Sequence, residues 1–150
     1  MICYDSTRPW LIPAAAAEAV LMYADGEFEW KPQDKARFPH ARYRSISVLN
    51  NPKIAAVLDV EKGDATPADA PGFIRARPGD AAIYCNRATL PAVQAACHGL
   101  DYRVWLATLD GTRPTAITGG GTLAAVQYFG GLHTPYDLSV VYDEAWMRQP

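Results

Sequence analysis

What this chain lacks narrows its chemistry before any motif is read. Lysine and arginine number 14 against 16 aspartates and glutamates, a net charge of −2. There is no excess of cations to grip a nucleic-acid backbone or an anionic membrane surface. No apolar run is long enough to cross a bilayer, and the first residues, MICYDSTRPW, have neither the basic segment nor the apolar stretch of a secretion signal. That pattern predicts a protein of the producing cell's cytoplasm, and any action outside needs a route other than general secretion. Cysteines are three, Cys3, Cys85 and Cys97, an odd count with no CxxC pair and no histidine spacing for zinc. Two fall in strand-like runs and one in a helix-like run, so a role as small buried hydrophobes outweighs a catalytic one. His40, His98 and His133 are scattered and form no triad. No GxGxxG or phosphate-binding loop occurs, and Gly119, Gly120 and Gly121 precede a strand-like run, which makes them a flexible loop. Neither a metal nor a cofactor is expected.

What is present is a chain of 150 residues, 49% apolar and 20% charged, the proportions of one globular domain with a sizeable core. Eight runs read as strands: 1–6, 20–26, 42–49, 54–61, 81–86, 102–109, 123–129 and 137–142. Between them lie helix-like pieces: the alanine run after Pro13, Trp30 to Phe38, the stretch after Thr66 and Asp69, and LPAVQAAC from Leu90 with a stop at His98 and Gly99. Strands separated by short helices or bare loops imply crossovers and a mainly parallel sheet. The expectation is an α/β fold, a small (β/α)8 TIM-like barrel with short or missing outer helices, since such barrels ordinarily take about 250 residues. An open doubly wound sheet is the alternative, weakened by the missing nucleotide fingerprint.

The run IAAVLDVE, Ile54 to Glu61, is apolar on both faces until it ends in acids. Period-two alternation puts Asp59 and Glu61 on one side and Leu58 and Val60 on the other. Asp5 ends the first strand-like run and Asp137 begins the last, so in a barrel four acids gather where loops carry chemistry. Clustered carboxylates without a metal suit glycosidic cleavage, in which one protonated acid serves the leaving oxygen and ionised partners stabilise oxocarbenium-like charge. Crowding itself raises the pKa of one member. Asp25 and Asp110 each precede glycine and read as turn residues. Asp143 and Glu144 read as solvated. Tyr84, Trp105 and Tyr128 are aromatic residues in strands, which more often pack than bind. Trp10, Trp30 and Trp146 lie in or near loops, as barrel covers or as contacts to a partner.

The order YDS, LDVE, IYCN, VWLAT, VQY and YDLSVV along successive strands resembles glycoside hydrolase family 25, the lysozymes or N-acetylmuramidases of bacteria and phages. Closer still is a compact branch of glycoside-hydrolase-like domains of actinobacteria and their phages. The matching pieces here are Tyr23 to Gly26, Arg37 to Pro39, Leu58 to Glu61, Ala65 to Pro71, Ile83 to Asn86 and Tyr136 to Val141. The resemblance implies Glu61 as general acid, with Asp59 orienting an acetamido group or stabilising charge, Asp5 and Asp137 lining the same pocket, and Tyr84, Trp105 and Gln127 lining the sugar site. It implies hydrolysis of the β-1,4 bonds of cell-wall peptidoglycan. The short connections also fit a glycosidase-like barrel kept as a carbohydrate-binding or phage virion module, with other phage structural proteins as partners.

Overall fold

Each strand has one face to bury inside a ring and most have a second face to bury outside it. In the computed structural model, which describes residues 1–131 and 134–148, β1 (Ile2–Asp5), β2 (Ala19–Tyr23), β3 (Arg42–Ser47), β4 (Val57–Asp59), β5 (Ala82–Asn86), β6 (Arg103–Ala107), β7 (Thr122–Phe129) and β8 (Asp137–Val141) pair in sequence order and close into a barrel. His133 lies outside the described residues.

β1 to β7 run parallel, but β8 is antiparallel to both β7 and β1. The cause is the connection: residues 130–136 between β7 and β8 form the shortest link in the barrel. The shortest parallel return here, from β3 to β4, takes residues 48–56, and the link before β8 is shorter still, which favours an antiparallel return.

The interior is built around small residues. Ala19, Ala82, Ala107, Ala124 and Ala125 share one buried cluster with Tyr84, Trp105 and Trp146, leaving the width of the barrel for the three large rings. Outside, α2 (Ala70–Ala76) and α3 (Leu90–Ala96) cover one side, where Phe73, Ile74 and Val93 pack on Leu58, Ile83 and Val104. Another side is covered by α1 (Pro32–Lys35) and a 3-10 turn at Pro9–Leu11, with Trp30, Phe38 and Ile12 over Val20 and Met22. Among the described residues these three α-helices are the only ones, so the architecture is an α/β closed eight-stranded barrel without the helical shell of a typical (β/α)8 fold.

The alanine run after Pro13 makes a single turn, Ala16 N–H to Pro13 O at 2.9 Å. β2 begins at Ala19, too soon for a helix to recover the cost of its first turn. β4 keeps three residues of the expected eight, because the chain turns at 52–54 and leaves Ile54 47% exposed. α2 starts four residues after Thr66, with the Asp69 carboxylate accepting from the Thr66 amide and hydroxyl. The three cysteines are free and buried; burial pushes the Cys97 thiol up to about 11 and Cys85 to about 12, where thiolate chemistry at neutral pH is shut off. No helix among the described residues is long and apolar enough to cross a membrane.

The end of the barrel opposite the strands' carboxyl termini is closed by charge. Buried Arg44 lies over the Trp146 ring at 5.3 Å and pairs with Asp80 at 2.7 Å. Arg77 donates to the same carboxylate and Arg148 approaches it at 3.6 Å. Removing Asp80 strands a buried guanidinium. In urea unfolding, Asp80→Ala is expected to lose about 3 kcal/mol of stability, whereas Arg148→Ala, on an exposed partner, loses under about 1 kcal/mol.

Candidate active site

Parallel strands present their last residues at one rim, and an antiparallel strand presents its first residue there. The reversal of β8 therefore sets Asp137, its first residue, directly across from Asp5, the last residue of β1. The two carboxyls lie close enough that ionising both is disfavoured, so this pair favours holding a proton. Burial, followed by the charge of Asp137, holds Asp5 well above the ordinary carboxylate range. Asp5 is 2% exposed and its Oδ2 has no hydrogen-bond partner.

Asp137 is fixed from the loop that precedes it. Its Oδ1 accepts from the Gly131 amide at 3.0 Å and the Thr134 hydroxyl at 3.2 Å. Burial raises its pKa despite these bonds. Gly130 has φ +152, and a Cβ there would lie 2.1 Å from Asp137 Oδ1. Only glycine leaves the carboxyl its place.

Across the mouth, Asp59 ends β4 and is 3% exposed. The chain then turns through Gly63, with the Asp64 amide bonded to Glu61 O at 3.1 Å, and brings Asp64 back over the strand end. Carboxylate oxygens of Asp59, Glu61 and Asp64 lie within 4.8 Å of one another. Burial, then the charges of Glu61, Asp64 and Asp5, push Asp59 well up, and its Oδ1 is buried without a partner. Glu61 is exposed at the rim and is raised by partial burial, then by Asp64 and Asp137. Oxygen donors at this spacing would also suit a hard divalent cation.

Two cavities adjoin these acids. One of about 420 Å³ is bounded by Tyr23, Glu61, Tyr84, Gln127, Tyr136 and Asp137. The other, about 200 Å³, is bounded by Asp25, Asp59, Glu61 and Asp64; Thr7, Tyr23 and Glu61 belong to both. Asp5 borders neither, contrary to the expectation that it lines the pocket, and its register partner Asp137 is the one of the two at the cleft wall. Tyr84 and Gln127 are at the cleft wall as expected. Trp105 is not: it is 2% exposed inside the barrel, 4.5 Å from the Tyr84 ring, with its indole N–H donating to the Ser139 hydroxyl at 2.9 Å. Its strand position points it inward, where no sugar reaches. Burial keeps the Tyr23 and Tyr84 phenols protonated and able to donate.

Asp25 and Asp110 are turn residues. Asp25 accepts from the Ser47 hydroxyl at 2.5 Å and the Val48 amide at 2.8 Å, and Asp110 accepts from Thr112. The residues missed by reading the sequence are Asp64, Tyr23 and Tyr136. Asp64 was signalled by the glycine two residues after Glu61, since a turn there returns the chain on itself.

Acids whose pKa rises on folding bind more protons folded than unfolded, so their contribution to stability falls as pH climbs from about 4 through the raised values. Asp5→Asn removes that penalty. In thermal and denaturant unfolding it is expected to match wild type near pH 4 and to exceed it at pH 7, by on the order of 1–3 kcal/mol, the usual cost of an unpartnered buried polar group. A variant less stable than wild type at pH 7 would show that Asp5 is ionised and well solvated.

No protein-family model matches this chain, and no curated protein is similar to it. A solved structure is: the 1.07 Å crystal structure of an uncharacterized protein of B. stearothermophilus, at TM-score 0.67 and 10% sequence identity, with 98% of this chain and 99% of that one covered. At that identity the likeness is one of fold, and it extends over the whole of both chains.

Proposed function

We propose that this chain is a lysozyme-type glycoside hydrolase acting on the β-1,4 bonds of bacterial cell-wall peptidoglycan, on a reduced form of the (β/α)8 barrel. Glu61 is the general acid. The observation that carries this reading is that Glu61 is an exposed carboxyl at the rim, within 4.8 Å of the buried carboxyl of Asp59. A general acid has to reach the glycosidic oxygen and hold its proton near neutral pH. Glu61 has the access, and burial with the charges of Asp64 and Asp137 supplies the proton affinity.

Asp59, whose burial favours its neutral form, orients an acetamido group by hydrogen bonding, and Asp137 lines the far side of the cleft. With oxygens of Asp59 and Glu61 within 4.8 Å, no water fits between those two groups as inversion demands, which favours retention of configuration. Tyr84 and Gln127 at the wall supply donors for sugar hydroxyls. Release at host lysis or carriage in a phage particle would bring the protein to the wall.

The alternative is a carbohydrate-binding or virion module with little turnover, and the recessed positions of Asp5 and Asp59 are what favour it. Zymography on cell walls separates the two. Wild type is expected to clear the substrate and Glu61→Gln to lose about 10²- to 10⁴-fold; equal clearing by both, or by neither, sinks the hydrolase reading. The rate should fall as pH rises and Glu61 deprotonates. Asp64→Asn removes a charge that raises the Glu61 pKa, so its alkaline limb is expected at lower pH than that of wild type.

A further inference from the structure

Three of the four tryptophans, Trp30, Trp105 and Trp146, are at most 2% exposed, whereas Trp10 is 57% exposed. Nearby Phe28 is 46% exposed. These two rings border a cavity of about 430 Å³ together with Thr7, Glu27 and Gln33. Thr7, Glu27 and Phe28 also border the cavity that holds Asp59, Glu61 and Asp64, and Thr7 is in the wall of the Tyr84 and Gln127 cavity as well. The three hollows share these walls and so lie side by side as a trough along the barrel mouth. Phe28 ties its halves together, since its ring meets that of Tyr23 edge-on at 6.4 Å.

We infer that the trough carries a distal glycan subsite, with Trp10 as the platform for a sugar ring and Phe28 as the step between that ring and the acids. This rests on the glycan-cleaving or glycan-binding reading of the acid cleft. Trp10 is held in place by its backbone: it sits in the 3-10 turn behind buried Pro9, and its carbonyl oxygen accepts from Arg37 at 3.2 Å. A large aromatic face fixed at a cavity wall and left in water is surface that a ligand can cover with gain.

The companions of Trp10 choose the ligand. Glu27, Glu29, Gln33 and Asp34 surround the rings and accept from hydroxyls, while the one lysine there, Lys31, is paired with Glu29 at 3.2 Å. An apolar peptide or lipid would desolvate these carboxylates without replacing their hydrogen bonds, and a phosphorylated polymer would be repelled. A neutral stretch of pyranose rings offers C–H faces to the aromatics and hydroxyls to the acids. The occupant is therefore a continuation of the same glycan chain that enters the acid cleft, several sugars long.

The test uses Glu61→Gln, which binds without cutting, and follows acrylamide quenching of tryptophan fluorescence, to which Trp10 is the accessible contributor. Probes are β-1,4-linked N-acetylglucosamine oligomers from dimer to hexamer, which carry no charge. The hexamer is expected to shield Trp10 and the dimer to leave it quenchable. Adding Trp10→Ala should weaken the long ligands about tenfold or more without changing the dimer, and Trp10→Tyr should restore most of the loss. Long-ligand binding that leaves Trp10 unshielded and Trp10→Ala without effect overturns the subsite alone. No binding of any probe overturns both the subsite and the glycan reading on which it rests.

Discussion

The structure depends on the direction of its last strand. Seven strands run one way, and the shortest connection in the barrel turns the eighth back against both its neighbours. If β8 ran parallel, its first residue would lie at the opposite end of the barrel, and Asp137 would be far from the acids that end β1 and β4. Reversed, it seals the ring and delivers a carboxyl to the rim in register with Asp5. The same short link supplies the Gly131 amide and the Thr134 hydroxyl that hold that carboxyl, and the bare Gly130 that makes room for it.

The consequence is a mouth with more carboxyls than water can serve. Asp5, Asp59, Glu61, Asp64 and Asp137 are all raised, and burial is the first cause in each. Unpartnered buried oxygens on Asp5 and Asp59 oppose folding, and a barrel selected for stability alone would replace them. Sites that work against stability are where function is to be sought. The opposite end shows the contrast: there Asp80 is surrounded by arginines, and its hydrogen bond and ion pairs outweigh burial and lower its pKa.

Much of this was legible in the sequence because strand periodicity is a local property. All eight strands overlap runs picked out by apolar content and bounding turns, with β2 and β7 each starting one residue earlier than read, and the period of two sets Asp59 at a strand end on the face opposite Leu58. Asp25 and Asp110 before glycine were readable as turns. The helices were less legible, since a run such as that after Pro13 has the right residues but lacks the length to propagate. Trp105, an aromatic residue in a strand, reads from the sequence as packing, as it does; only the family resemblance set it at the sugar site. Asp5 was rightly set at the rim, yet whether a rim residue reaches the cleft or lies beneath it depends on the neighbour across the barrel, here Asp137. Trp10 sits in an irregular segment, and only tertiary structure separates an exposed indole from a buried one.

The claim at the centre is that Asp5 and Asp137, far apart in the chain, share a proton at the barrel mouth. Carboxyl 13C chemical shifts followed through a pH titration of labelled protein measure it directly, with Asp137→Asn to assign the partner. The account predicts two linked titrations, with Asp5 holding its proton well above the ordinary aspartate range and its curve moving when Asp137 is replaced. Two independent titrations near pH 4, unchanged by that substitution, would contradict it.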